Sequence, residues 1–323
     1  MGEKKVLQIF LYTCSVISMI LLAACGNNDD GGRGLPGSIT NCCGDLGPLD
    51  TRGLVMYYSM DNLPDTIPDG MDIQDGSGRG NNGKFVMGGS IDTTEVERDV
   101  SLSTDGLIGQ GIYIAKWDYI AVLDKEENED FQFGTGDFTW SMWVKPSELG
   151  ILNNNKNQIW IGAQTDAVVE GLSVTCGNGT HMWLGLMNTD VVNWQLRAIG
   201  KDNLAVGNQD YQQTTVNTGG LAGKWHHIVA VKDGHEYANI SIYIDGKEVE
   251  KYTYNFEEIS RDQTIAMSED YEFSRITNLY LGKFPPPCSG SFGSTITLDE
   301  VSIWNRPLSK SEVEMLYKRQ SDN

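Results

Sequence analysis

Aromatic side chains beside amides are the residues here whose types and spacing suit recognition chemistry. Trp117, Tyr119, Trp160, Trp183 and Trp194 fall in or beside alternating apolar runs, close to Gly/Asn/Asp turns. A sugar stacks its C–H face on an aromatic ring, and its hydroxyl rim takes polar partners, so this combination suits a glycan. Trp194, flanked by Asn193 and Gln195, reads as the solvent-facing platform, with Trp117, Tyr119 and Trp183 as further ligand-binding candidates. Most tryptophans of a large β-protein belong to its core. Trp140, Trp225 and the run Ile159-Trp160-Ile161 read that way.

A second chemistry is oxygen coordination. Asp75 opens the Gly-rich stretch DGSGRGNNG (75–83), whose carbonyls could join a carboxylate around a hard cation that takes six to eight oxygens. The same residue types make tight turns without any metal. His181, His226, His227 and His235 are not spaced as zinc ligands. Neither G-x-S-x-G nor H-E-x-x-H occurs.

The elements that must position these residues are nearly all strands. Short alternating runs separated by Gly/Asn/Asp turns predict strands at 54–60, 112–115, 119–123, 138–144, 158–163, 172–175, 182–186, 194–198, 225–232, 240–245, 247–254, 279–282 and 296–304. Within 138–144, Phe138, Trp140, Met142 and Val144 share one face, and Thr139, Ser141 and Trp143 the other. Asp245-Gly246 between two alternating runs predicts a type I′ hairpin, which needs positive φ at both central residues. One helix has boundary signals, at 309–319. Ser309 and Glu312 form a capping box, Leu308 and Val313 a hydrophobic staple, and Val313, Leu316 and Tyr317 an apolar stripe.

Seven motifs follow one another in order: YYSMDN (57–62), DGSGRGNNGKF (75–85), GLIGQGIYI (106–114), GDFTWSMWVKP (136–146), WHHIVAVKDG (225–234), ISIYIDGKEV (240–249) and LDEVSIWNRPLSKSEVEMLY (298–317). Together, over roughly residues 52–320, they resemble the laminin-G-like domains, of the laminin G 3 type, in the concanavalin A-like lectin/glucanase superfamily. The resemblance implies an all-β fold, a concanavalin A-like jelly-roll sandwich of two antiparallel sheets with a short C-terminal helix. It also implies a structural Ca2+ tying the first strand to the last, with Asp61 and Asp299 at the matching positions and Asp75 as a third ligand. Glucanases of the superfamily carry two glutamates on one strand as E-x-D-x-E or E-x-D-x-x-E. The one E-x-D here, Glu97-Arg98-Asp99, has no second glutamate after it, so a non-catalytic protein is expected.

The front of the chain concerns location. Lys4 and Lys5 precede an uncharged run that ends Leu22-Ala23-Ala24-Cys25, the layout of a secretory signal over residues 1–24. The Leu-Ala-Ala-Cys box resembles that of bacterial lipoproteins, in which the cysteine is lipidated and becomes the new N-terminus, so Cys25 is the expected lipidation site. A run of about 20 apolar residues would alternatively serve as an uncleaved span. Residues 25–50 carry the lipidated Cys and a tether of Gly, Asn, Asp, Pro and Ser without apolar period. Such a coil reaches on the order of 25–30 Å. Residues 51–323 form the expected sandwich domain.

The chain has 44 acidic and 24 basic residues, a formal net charge of −20, which repels phosphate backbones and makes nucleic acid an unsuitable partner. Outside the cytoplasm Cys42, Cys43, Cys176 and Cys288 can oxidise, and four thiols allow three pairings. The expectation is a lipid-anchored module of the cell envelope that recognises a glycan or glycoconjugate at the cell surface. The alternative is a protein-binding adhesion or envelope-assembly lipoprotein whose partner is an extracellular or envelope protein. A glycan-active enzyme comes third.

Overall fold

The computed structural model describes residues 50–88, 100–123, 130, 131, 133, 137–147, 158–165, 181–187, 191–197, 211–234, 237–255, 276–284 and 294–322. They form two antiparallel sheets and a C-terminal helix. The first sheet contains β1 (Leu54–Tyr58), β4 (Leu102–Asp105), β5 (Gln110–Ile114), β7 (Phe138–Pro146), β12 (His226–Asp233), β13 (Tyr237–Ile244), β14 (Lys247–Asn255) and β16 (Ile296–Trp304). The second contains β2 (Asp72–Ile73), β3 (Gly83–Val86), β6 (Tyr119–Leu123), β8 (Gln158–Thr165), β9 (His181–Met187), β10 (Val191–Arg197), β11 (Tyr211–Asn217) and β15 (Ile276–Leu281). Their orders are β14-β13-β12-β7-β16-β5-β4, with β1 also on β16, and β11-β10-β9-β8-β15-β6-β3-β2.

Alternation decides which residues meet between the sheets. Phe138, Trp140, Met142 and Val144 of β7 enter the core together with Ile228 and Ala230 of β12 and Trp194, Leu184 and Leu281 of the second sheet. The other face of the first sheet is apolar too, so it requires a cover. Leu54, Tyr57, Val229, Val231, Tyr243 and Trp304 form a second cluster there with Leu308, Val313 and Leu316 of the helix α1 (Lys310–Ser321) and its approach. Burying Val313 and Leu316 stabilises the helix by about 1.5–3 kcal/mol each. Ser309 accepts the Glu312 N–H, and the Glu312 carboxylate accepts the Ser309 N–H at 2.8 Å, completing the capping box.

Two local features follow from backbone conformation. Asp245 and Gly246 have φ of +52° and +74°, the pair of positive angles that a type I′ turn requires. In β16 the register against β7 shifts between Asp299 and Ser302, and Glu300 has φ +50°. This bulge lies where the free edge of β16 changes partner, from β5 along Ile296–Leu298 to β1 along Val301–Trp304.

The sequence reading places most strands within a few residues. The first strand stops at Tyr58, short of residue 60, because Met60 and Asn62 turn the chain with φ of +59° and +61°. The strands it omits, β2, β3, β4 and β11, are short or polar strands towards the sheet ends, too short or too polar to show alternation although Ile73, Phe85 and Val216 reach the core. The strand expected at 172–175, residues 1–49 with Cys25, Cys42 and Cys43, Cys176 and Cys288, and Glu97-Arg98-Asp99 lie outside the described residues.

Candidate functional site: the outer face of the second sheet

One cross-strand row of the second sheet, Trp194–Leu184–Ile161–Leu281–Ile120, lies in the core. The next row therefore faces outward, and it reads Trp183–Gly162–Tyr280–Ala121–Lys84. Gly162 is the direct partner of both Trp183 and Tyr280. Two strand spacings, about 10 Å, thus separate these aromatic residues across a glycine floor.

The chain leaving β15 supplies the rest. Gly282 takes φ +86° and donates its N–H to the Trp160 carbonyl at 3.0 Å. Past this bend the consecutive side chains Lys283 and Phe284 serve different neighbours. Phe284 packs on Trp183 with ring centroids 6.0 Å apart, and the Lys283 Nζ sits 3.8 Å from the Tyr119 centroid. Tyr119 in turn meets Tyr280 at 5.9 Å and 58°. Burial raises the pKa of the Tyr119 and Tyr280 phenols and lowers that of the Lys283 ammonium.

Trp117, at the turn before β6, has φ +79°, costly for a bulky side chain. The turn is fixed by buried Asp118, which accepts the Gly88 N–H at 2.9 Å and the Ser101 hydroxyl at 2.7 Å. The Lys116 Nζ lies 5.2 Å from the Trp117 ring centroid. Farther along the same outward face, Asn193 is fully buried, and neither of its amide atoms has a hydrogen-bond partner among the described residues. An unpaired buried polar group costs about 1–3 kcal/mol.

The aromatic candidates divide accordingly. Trp117 and Tyr119 are half-buried. Trp183 faces outward but is only 6 % exposed, sealed with Ile159 and Phe284. Trp194 corrects the expectation of a solvent-facing platform: it is 0 % exposed and packs edge-on against Phe138 at 6.0 Å. The reason was present in V-V-N-W-Q-L-R. Val192, Trp194 and Leu196 share the core face, so alternation puts flanking Asn193 on the other side. Trp140 and Trp160 are core as expected, whereas Trp225 is only half-buried. Tyr280, Lys283 and Phe284 were not singled out from the sequence. Leu279 and Leu281 marked Tyr280 as outward, but nothing local foretold that Lys283 reaches Tyr119.

The three aspartates do not assemble as calcium ligands. The Asp299 Oδ2 accepts the N–H groups of Leu107 and Ile108 at 2.8 and 3.0 Å, and its Oδ1 accepts that of Glu300 at 2.9 Å. The Asp61 Oδ1 accepts the Gln110 N–H at 3.0 Å. Asp61 and Asp299 thus converge on one turn, between β4 and β5, where they act as acceptors for its backbone. Asp75 belongs to a different loop. It binds the N–H groups of Tyr57, Ser77 and Asn81 at 2.9 Å each and the Ser77 hydroxyl at 2.7 Å. Among the described residues no group of three His, Cys, Asp or Glu side chains could hold a metal. The donors aimed at Asp75 and Asp299 do not fit a cation, since the oxygens a metal would take already accept N–H groups. Burial pushes the Asp299 pKa up to about 8, against the pull of the Ile108 and Leu107 N–H groups.

A buried polar network under α1 is the remaining cluster with chemical potential. The Ser141 Oγ lies 3.0 Å from the His227 Nε2, the spacing of a nucleophile and its base. Yet His227 is fully buried, its Nδ1 has no hydrogen-bond partner among the described residues, and its ring packs tilted against Trp143 at 5.1 Å and 33°. Burial lowers its pKa to about 3. The Trp143 indole donates to the Gln320 Oε1 at 2.8 Å, the Gln320 amide donates to Glu300 at 2.8 Å, and the Tyr57 hydroxyl donates to Glu300 at 2.8–2.9 Å. These bonds tie β1, β7, β16 and the helix together, and no reactant reaches the enclosed pair.

The laminin G 3 family model, of the concanavalin A-like lectin/glucanases superfamily, matches residues 118–314. The chain belongs to this family. In this laminin G 3 domain the match begins at Asp118, which fixes the Trp117 turn, and ends within the helix that covers the first sheet. No curated protein matches the sequence. Among solved structures, the binding domain of Paraclostridial Mosquitocidal Protein 1 superposes with a TM-score of 0.51 at 15 % identity, over 82 % of this chain and 52 % of that one. The binding domain of botulinum neurotoxin serotype G gives 0.50 at 14 %, over 83 % and 51 %. At these identities the likeness concerns the fold alone, a jelly roll. The chain spans about half the length of these domains.

Proposed function

We propose that the protein is a glycan-recognition module, exported and held to a membrane by lipid on Cys25, with its ligand on the outer face of the second sheet. The observation that carries this reading is the Tyr119–Tyr280–Lys283 group: the half-buried Tyr119 ring, backed by the buried Tyr280 ring, with the Lys283 ammonium beside it. Sugars are bound where aromatic faces take C–H surfaces beside a few polar groups. Membership of a lectin/glucanase superfamily is consistent with this reading, as is the sharing of a fold with binding domains. Residues 1–24 act as the export signal and residues 25–50 as the tether, with the cell envelope as the site of action.

The test is a glycan array probed with the detergent-solubilised full chain and with Tyr119→Ala. Binding by the wild type that is lost in Tyr119→Ala supports the reading. No glycan binding, together with recovery of one defined envelope protein, would favour the protein-binding alternative.

A further inference from the structure

Lys283 has a position that neutral-sugar recognition does not explain. In a chain with 44 acidic residues against 24 basic ones, it makes no ion pair with any described carboxylate. Its ammonium rests on the Tyr119 ring, 3.8 Å from the centroid, and the side chain is half-buried. It therefore occupies one face of the phenol on which a sugar would stack.

A cation on an aromatic face at a partly exposed site is stabilised by about 0.5–1 kcal/mol. A neutral sugar that stacks there must displace the ammonium and offers it no ionic partner in return. A sugar carrying a carboxylate compensates: its acid group takes the ammonium in a charge-assisted hydrogen bond while its C–H face takes the uncovered ring. The partial burial that lowers the Lys283 pKa strengthens such a pair relative to one in water.

We propose that Lys283 is a latch on Tyr119 that selects carboxylate-bearing sugars over neutral ones. This rests on the glycan reading above and names the ligand class for that same face. Specificity comes from a penalty on the neutral ligand as well as an attraction for the acid.

The full chain in detergent would be titrated with hexuronic-acid oligosaccharides and, for each, the carboxyl-reduced neutral counterpart. The wild type should prefer the acid on the order of tenfold, and the preference should shrink at high salt. Lys283→Gln should remove the preference from both sides, weakening the acid and leaving the neutral ligand as tight or tighter. Lys283→Arg should retain it. Equal affinities in the wild type, or an undiminished preference in Lys283→Gln, would overturn the latch. If the array gives only neutral ligands, the acidic class falls and the glycan reading stands. If it gives none, both fall.

Discussion

Asp61 and Asp299, from opposite ends of the sandwich domain's sequence, hold the same turn. Asp299 accepts the N–H groups of Leu107 and Ile108, and Asp61 accepts that of Gln110. The closeness explains a sequence detail: a Cβ at Gly106 would lie 2.6 Å from the Asp299 Oδ2. First strand and last are thus linked through a turn's backbone. Asp299→Ala should cost about 1–3 kcal/mol by leaving those N–H groups unpaired, or roughly 2–4 °C of melting temperature per kcal/mol for a domain this size. The loss should be the same in EGTA and in calcium. A calcium-dependent stabilisation that vanishes in Asp299→Ala would instead put a metal at this turn.

The pH dependence of stability has two limbs of opposite sign. Burial lowers the His227 pKa from 6.5 to about 3, so the unfolded chain binds its proton more readily, and stability is lost as pH falls through that window. Burial raises Asp299 from 3.8 to about 8, so the folded state holds its proton more tightly, and stability is lost as pH rises towards 8. Each limb is worth up to about 1.4 kcal/mol per pH unit. The two offset each other between roughly pH 4 and 6.5, which predicts a plateau there in chemical-denaturation stability. His227→Phe should flatten the acid side and Asp299→Asn the alkaline side. A variant with an unchanged profile would remove its residue from this account.

Trp194 and Tyr119 should differ in the cost of truncation. Trp194→Ala opens the core and should cost roughly 3–5 kcal/mol, read as a large drop in melting temperature. Tyr119→Ala removes a half-buried ring at the sheet's surface, with its contacts to Tyr280 and Lys283, and should cost less, about 1–2 kcal/mol. Comparable destabilisation by the two would place Tyr119 in the structural core.

The anchor has a chemical readout. Cys25→Ser should abolish labelling by a fatty-acid analogue and either release the domain or leave an unprocessed precursor. Absence of label on the wild type would reject lipidation at Cys25.

Elements whose stability is local were legible in the sequence. The capping box at Ser309–Glu312, the Asp245-Gly246 turn and the two faces of β7 each depend on residues within a few positions, and each forms as read. The candidate site was less legible because it is made by register between distant strands. Trp183 and Tyr280 become neighbours across Gly162 only through pairing, and Lys283 reaches Tyr119 only after the Gly282 bend. The assignment of Trp194 failed on a local conflict: its amide neighbours suggested a wet surface, while the alternation of Val192, Trp194 and Leu196 required the core. The roles of the three aspartates were not legible because position alone does not reveal whether a carboxylate's oxygens already accept backbone N–H groups.

The most direct test of the central claim is calorimetric titration of the best array glycan into the wild-type chain and Tyr119→Ala under identical buffer. One lost aromatic stacking contact should weaken binding by about 1–3 kcal/mol, roughly 5- to 150-fold in Kd, with both proteins folded at the assay temperature. Equal dissociation constants for the two proteins would contradict a glycan site on this face.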